Sequence, residues 1–179
     1  MIIVENFLSK NLYNSLEKQF SSIDLSALND IFDHSYEKKS NKEEECIPLR
    51  IHSNSQISYK EFFISTSVLD EFRSEIIKKF FDDYKFNKII FQFSIWNPGS
   101  LLNMHFDNIY KYGGTLYFNN WDESWGGLFK FRDEKTNINF VCPQKNLFVF
   151  NNRNELHGVT EINLNVSEKR KTVQVWMLD

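Results

Sequence analysis

The sequence predicts an α+β chain, with helices at its N-terminal end flanking a barrel or jelly roll of short strands. Two observations carry this reading. Up to about Asn87 the clearest apolar stripes recur at helical spacing, and after Asn87 the period falls to two and stays there. Helices first, then about eight short strands bounded by turn residues, is an α+β order rather than the alternation of a βαβ fold.

Taken in order, Ile2–Val4 reads as a short strand. Ser9 supplies a hydroxyl to cap the helix that follows, whose apolar face runs Leu12, Leu16, Phe20 at i, i+4 spacing. Between about Ser35 and Ser58 periodicity dissolves. The charged run Glu37–Glu45 reads as a solvated loop. With its flank Ile47–Tyr59 it forms the natural candidate for a substrate lid, Glu37–Tyr59, because long loops in compact domains are often functional. The next helix runs from Thr66 to Asp83, with Leu69, Phe72, Ile76 and Phe80 in one stripe. Strands are expected at Ile89–Trp96, Leu102–Asp107, Gly114–Asn119, Gly127–Phe131, Asn139–Cys142, Leu147–Phe150, Gly158–Ile162 and Thr172–Met177. The expected organisation is one domain, 1–179: residues 1–88 give helical support and the candidate lid, and residues 89–179 give the strand core.

Composition narrows the function classes. The chain has 179 residues, enough for one domain with a sizeable core and few for two. Hydrophobic residues are 41% and charged residues 25%, the balance of an ordinary globular protein rather than a disordered one. The net charge of −3 leaves no electrostatic footprint for nucleic acid or an anionic membrane surface. Cys46 and Cys142 lie far apart in no metal-like spacing and read as free thiols of a reducing compartment. No apolar stretch approaches the roughly 20 residues that span a bilayer, and the N-terminus lacks a signal-peptide pattern, so a cytoplasmic location is expected.

The chemistry concentrates in His105-Phe106-Asp107, His157 and Arg170. Two imidazoles and a carboxylate are the ligand set of the facial triad that holds non-heme Fe(II) in oxygenases, and they leave coordination positions open. Residues two apart on a strand share a face, so His105 and Asp107 can chelate one ion while His157 arrives from another strand. Taken singly, each has an ordinary alternative: His-x-Asp arises by chance, His157 follows a turn-rich run, Arg170 stands in a charged hairpin end, and Trp96 fits a core. His34 and His52 fall outside the strand region and read as loop histidines.

Strand parity adds the rest of the pocket. On the last strand Arg170, Thr172, Gln174 and Trp176 alternate with Lys171, Val173, Val175 and Met177. The apolar row packs on the helices, so the row carrying Arg170 faces inward, and an inward guanidinium needs an anion that its fork can grip. By the same alternation Leu116 and Phe118 face the helices and Tyr117 turns its hydroxyl inward beside Arg170. A metal with open positions and an Arg/Tyr pair describe a pocket for a small dianion that also chelates the metal, as 2-oxoglutarate does.

These residues resemble the Fe(II)/2-oxoglutarate-dependent dioxygenases, the prolyl-hydroxylase-like branch above all. The resemblance is carried by Trp96-Asn97-Pro98-Gly99 through His105-Phe106-Asp107-Asn108, by Thr115-Leu116-Tyr117-Phe118-Asn119, and by Trp121-Asp122 with Trp125-Gly126-Gly127-Leu128. It continues in Pro143–Phe150, His157-Gly158-Val159, and Arg170 six residues before Trp176, so it spans roughly Ile89–Leu178. It implies a double-stranded β-helix, a jelly-roll or cupin-like barrel, with iron held by His105, Asp107 and His157. Arg170 and Tyr117 would anchor the far carboxylate of 2-oxoglutarate, with Trp96 and Thr172 beside them. Trp96 departs from the tyrosine common in the family; an indole donates but does not accept.

The resemblance implies Fe(II), 2-oxoglutarate and O2, with ascorbate as a candidate reductant, and hydroxylation of an unactivated C–H bond. The branch points to a prolyl residue of a peptide or protein; a free amino acid or other small metabolite is the alternative. From another class, a non-catalytic metal- or ligand-binding β-barrel would need the same inward residues.

Overall fold

The computed structural model describes residues 1–23, 43–53, 56–81 and 86–178. In chain order the elements are β1 (Ile2–Val4), α1 (Lys10–Ser21), β2 (Glu44–Ser53), β3 (Gln56–Ser65), α2 (Thr66–Phe80), β4 (Lys88–Trp96), β5 (Leu102–His105) and β6 (Tyr112–Tyr117). Then come β7 (Phe129–Arg132), β8 (Ile138–Val141), β9 (Phe148–Asn152), β10 (His157–Val159) and β11 (Arg170–Leu178). They form a seven-stranded sheet, ordered β1-β9-β6-β11-β4-β2-β3, and a four-stranded sheet, ordered β5-β10-β7-β8. The fold is a double-stranded β-helix, and its two sheets stay open rather than closing into the expected barrel.

Local chemistry explains the helices. The Ser9 hydroxyl accepts the Leu12 N–H at 3.3 Å, which satisfies one orphan donor at the start of α1. Helix α2 begins where β3 ends, and Lys78 and Lys79 in its last turn oppose the helix dipole. Leu12, Leu16 and Phe20 of α1, with Leu69, Phe72 and Ile76 of α2, bury one face each against the large sheet. No helix among the described residues is long and apolar enough to cross a membrane.

The row Val173, Val175, Met177 of β11 is fully buried on that helix side, where each side chain contributes roughly 1.5–3 kcal/mol by leaving water. Leu116 and Phe118 join the same core, as alternation predicts. Rings fill it: Phe7 stacks on Phe148 at 4.3 Å between centroids, and Phe20 meets Phe93 edge-on at 5.0 Å. The opposite face of the large sheet is thereby left to polar residues and looks toward the small sheet.

Two expectations are corrected. The segment expected to lack regular structure forms β2 and β3 from Glu44 onward, paired antiparallel, with β2 running parallel to β4. Residues 1–88 therefore hold strands as well as helices, and within the expected lid Ile47–Ser53 and Gln56–Tyr59 are strands of the large sheet rather than loop. The rest of the charged run, 37–42, lies outside the described residues, as do His34 and the helix end predicted at 82–83. The physical reason is Pro48, which breaks a strand pattern in sequence; in the sheet it pairs with Glu61 of β3 one residue before the ladder with β4 begins at Leu49. Second, β5 ends at His105, so Asp107 reaches the site from the turn after the strand and not as the last residue of a strand Leu102–Asp107.

Candidate metal centre and anion pocket

His105 and His157 are directly opposite each other in the β5–β10 ladder. Their rings lie 4.6 Å apart between centroids. The Asp107 carboxylate stands between them, Oδ1 at 3.6 Å from His105 Nε2 and Oδ2 at 3.5 Å from His157 Nε2. The three ligand atoms lie within 4.8 Å of one another, close enough to share one ion. His157 is buried at the start of β10, not in a surface loop.

The tautomers follow from the backbone. His105 Nδ1 is 2.9 Å from the Asn103 carbonyl, and His157 Nδ1 is 2.8 Å from the Glu155 carbonyl. A carbonyl only accepts, so each Nδ1 carries a proton and each Nε2 is the nitrogen that faces Asp107. These carbonyls are the outer partners that ligand histidines require and that sequence alone leaves unnamed. Burial works against the Asp107 carboxylate, but His105, His157 and Asn151 outweigh it and hold its carboxyl below the usual range. Burial pushes His157 down to about 4, against the pull of Asp107. Two glycines make the approach possible. A β-carbon on Gly158 would meet the Leu102 carbonyl oxygen at 2.6 Å, and one on Gly113 would come within 3.1 Å of Asp107 Oδ2.

All three open onto a cavity of about 360 Å³ between the sheets, lined also by Arg170, Trp96, Gln174 and Trp176. Arg170 is 1% exposed, and its Nε and Nη1 have no hydrogen-bond partner. Its guanidinium carbon lies 5.0 Å from the ring centroids of both Trp96 and Tyr117, so the charge is held between two aromatic faces with no carboxylate among the described residues to meet it. Burial lowers the Arg170 pKa; Tyr117 beside it works the other way. The Tyr117 hydroxyl is buried and unpartnered too. Lys171, by contrast, falls on the outer face near α1.

Trp96 and Thr172 are where parity places them, but the indole N–H is already used: it donates to Thr172 Oγ1 at 3.2 Å. Thr172 Oγ1 accepts from Gln174 as well, at 3.1 Å, which leaves its own O–H to donate. Trp96 therefore meets the pocket with its ring and not its nitrogen. Arg50 on β2 lines the cavity and escaped the sequence reading, and His52, read from sequence as a loop histidine, is instead buried on the same strand and lines the cavity too. His52 lies flat on Trp96, with ring centroids 3.6 Å apart and planes 4° apart, and burial, Arg50 and Arg170 push it down to about 3. The signal was present in Ile47, Leu49 and Ile51, whose alternation puts Arg50 and His52 on the opposite face.

This donor set suits Fe(II) by its imidazole and carboxylate character, and the orphaned Arg170 suits a ligand carboxylate. Residues 91–178 match the model of the 2OG-Fe(II) oxygenase superfamily. The chain belongs to this superfamily. As a 2OG-Fe(II) oxygenase it shares its fold with solved prolyl hydroxylases of low sequence identity. A prolyl-4-hydroxylase from Pseudomonas putida superposes with a TM-score of 0.64 at 16% identity, covering 99% of this chain and 91% of its own. A prolyl hydroxylase from Trichoplax adhaerens, in complex with a hypoxia inducible factor peptide fragment, gives 0.67 at 12% identity, covering 99% and 83%. The viral collagen prolyl hydroxylase of Paramecium Bursaria Chlorella virus-1, in its 2OG complex, gives 0.60 at 14%, covering 99% and 95%. No curated protein matches the sequence. Family membership makes the chain a 2-oxoglutarate-dependent dioxygenase that uses Fe(II), 2-oxoglutarate and O2.

Proposed function

We propose that this oxygenase hydroxylates a C–H bond of a prolyl residue in a peptide or protein. In this reading His105, Asp107 and His157 hold the iron, and Arg170 with Tyr117 anchors the far carboxylate of 2-oxoglutarate. The observation that carries the anchor is Arg170, a guanidinium 1% exposed with two nitrogens unpartnered. A buried cation without a counter-ion is costly, so the cavity is completed by an anion. Bound Fe(II) with 2-oxoglutarate and O2 supplies the oxidising chemistry, in which the cosubstrate leaves as succinate and CO2.

The chain's own residues bind and orient. The two carbonyl-fixed imidazoles and the low-pKa Asp107 present three ligand atoms to one point, and Asp107 beside His105 raises the pKa of that imidazole. Trp96 and Tyr117 clamp the guanidinium flat, which aims its fork, and the Thr172 O–H offers a further donor. Phe129 and Val159 give the cavity dry walls beside His157.

The prolyl assignment draws its support from the neighbours' shared fold and activity. A free amino acid or other small metabolite is the second reading, favoured by a cavity of about 360 Å³ into which a further arginine, Arg50, projects. Succinate release dependent on Fe(II) and 2-oxoglutarate, screened across prolyl peptides and free amino acids, tests both. Stimulation by prolyl peptides supports the first reading, and stimulation by free amino acids alone replaces it with the second. No release with any additive, or without one, favours a non-catalytic binding protein.

A further inference from the structure

We propose that Arg50, with His52 beside it, forms a second anion subsite in the cavity, one that takes a carboxylate of the substrate. The inference rests on the oxygenase reading above and names the chemistry of its substrate. Along β2, Leu49 and Ile51 enter the helix-side core, so Arg50 and His52 turn to the other face and line the cavity with His105 and Asp107. Arg50 is half-buried and lies over the Tyr59 ring at 5.9 Å. Among the described residues no acidic group pairs with it, and its buried Nε has no hydrogen-bond partner. His52 is 4% exposed and its Nε2 is likewise unpartnered.

Register separates this site from the Arg170 site. Arg170 pairs with Trp96 on β4, and Trp96 pairs in turn with His52 on β2. Arg50 therefore stands two strands away from Arg170, roughly 10 Å at twice the interstrand spacing, plus the offset of one pleat. A small dianion with one end on the metal and the other on Arg170 does not extend to Arg50.

Charge points the same way. Asp107 is the one acidic residue among those lining the cavity. With a divalent metal and a dianionic cosubstrate in place, these two cancel and Asp107 offsets Arg170. Arg50 remains as the uncompensated charge, and a monoanionic substrate restores neutrality in a site sheltered from water. Its half exposure suits a group that arrives after the cosubstrate. The carboxylate is that of a free amino acid or of an acidic side chain next to the oxidised residue in a peptide.

Paired acid and amide probes test this. L-proline is compared with L-prolinamide, and N-acetyl-glutamyl-prolinamide with its glutaminyl counterpart, by equilibrium binding to the Fe(II)- and 2-oxoglutarate-loaded protein without oxygen. The wild type is expected to bind the acid of one pair at least about tenfold more tightly than its amide, the loss of one charge-assisted contact. Which pair responds identifies the source of the carboxylate. Arg50→Gln should erase the preference, and Arg50→Lys should keep most of it. Equal binding of acid and amide in both pairs, no binding of any probe, or a preference unchanged in Arg50→Gln overturns the subsite. The oxygenase reading fails separately, when the wild type releases no succinate with any additive or without one.

Discussion

His105 and His157 face each other across the β5–β10 ladder, and each gives its Nδ1 proton to the carbonyl two residues before it, Asn103 and Glu155. The two imidazoles are thus oriented by backbone, and their readiness for a metal depends on the spacing of two strands.

That spacing depends on Gly158, where a β-carbon would meet the Leu102 carbonyl oxygen at 2.6 Å. Gly158→Ala must push β5 from β10 and move the two Nε2 atoms apart. Manganese(II) affinity, measured calorimetrically, should fall about tenfold or more, with a loss of stability of about 1–3 kcal/mol. Affinity within twofold of wild type would show that the strand spacing is not what orients the site.

Arg170 links function to stability in opposite directions. Its guanidinium is buried and unpaired without cosubstrate, so Arg170→Met should raise the melting temperature of the ligand-free protein while removing the stabilisation that 2-oxoglutarate gives the wild type. Affinity for 2-oxoglutarate should drop about a hundredfold, from the loss of about 3 kcal/mol of charge-assisted bonding. Lys171→Ala, on the outer face, should change it less than twofold. The reverse order would overturn the assignment of faces on β11.

His52 gives the fold an acid sensitivity. Its pKa falls from 6.5 to about 3 on folding, mainly through burial, so between these values the unfolded chain binds a proton that the folded chain refuses. The contribution is fully present above about pH 6.5 and is lost on acidification, by about 2 kcal/mol at pH 5. His52→Phe, which keeps a flat ring on Trp96, should lose that much less stability between pH 7 and pH 5 in denaturant titrations. Parallel acid profiles would show that His52 is protonated in the folded state.

Much of the site was legible because one period governs it. Val173, Val175 and Met177 alternate so cleanly with Arg170, Thr172 and Gln174 that the buried face and the pocket face separate on sequence alone. The β2–β3 hairpin was not legible, because the charged run and Pro48 masked the alternation of Ile47, Leu49 and Ile51, and Arg50 and His52 were lost with it. What no pattern carries is cross-strand register. The bond from Trp96 to Thr172, and the stacking of His52 on Trp96, depend on which residues three neighbouring strands bring level. The carbonyl partners of the histidines depend on backbone turns in the same way.

The central claim is that His105, Asp107 and His157 hold Fe(II) with 2-oxoglutarate chelated beside Arg170. Absorption spectroscopy under nitrogen tests it most directly: adding Fe(II) and then 2-oxoglutarate to the wild type should produce a weak visible charge-transfer band. The band should be absent from folded His105→Ala and Asp107→Ala proteins, and in Arg170→Met it should require far more 2-oxoglutarate. No band in folded wild type, or an undiminished band in the His105→Ala and Asp107→Ala proteins, would contradict the claim.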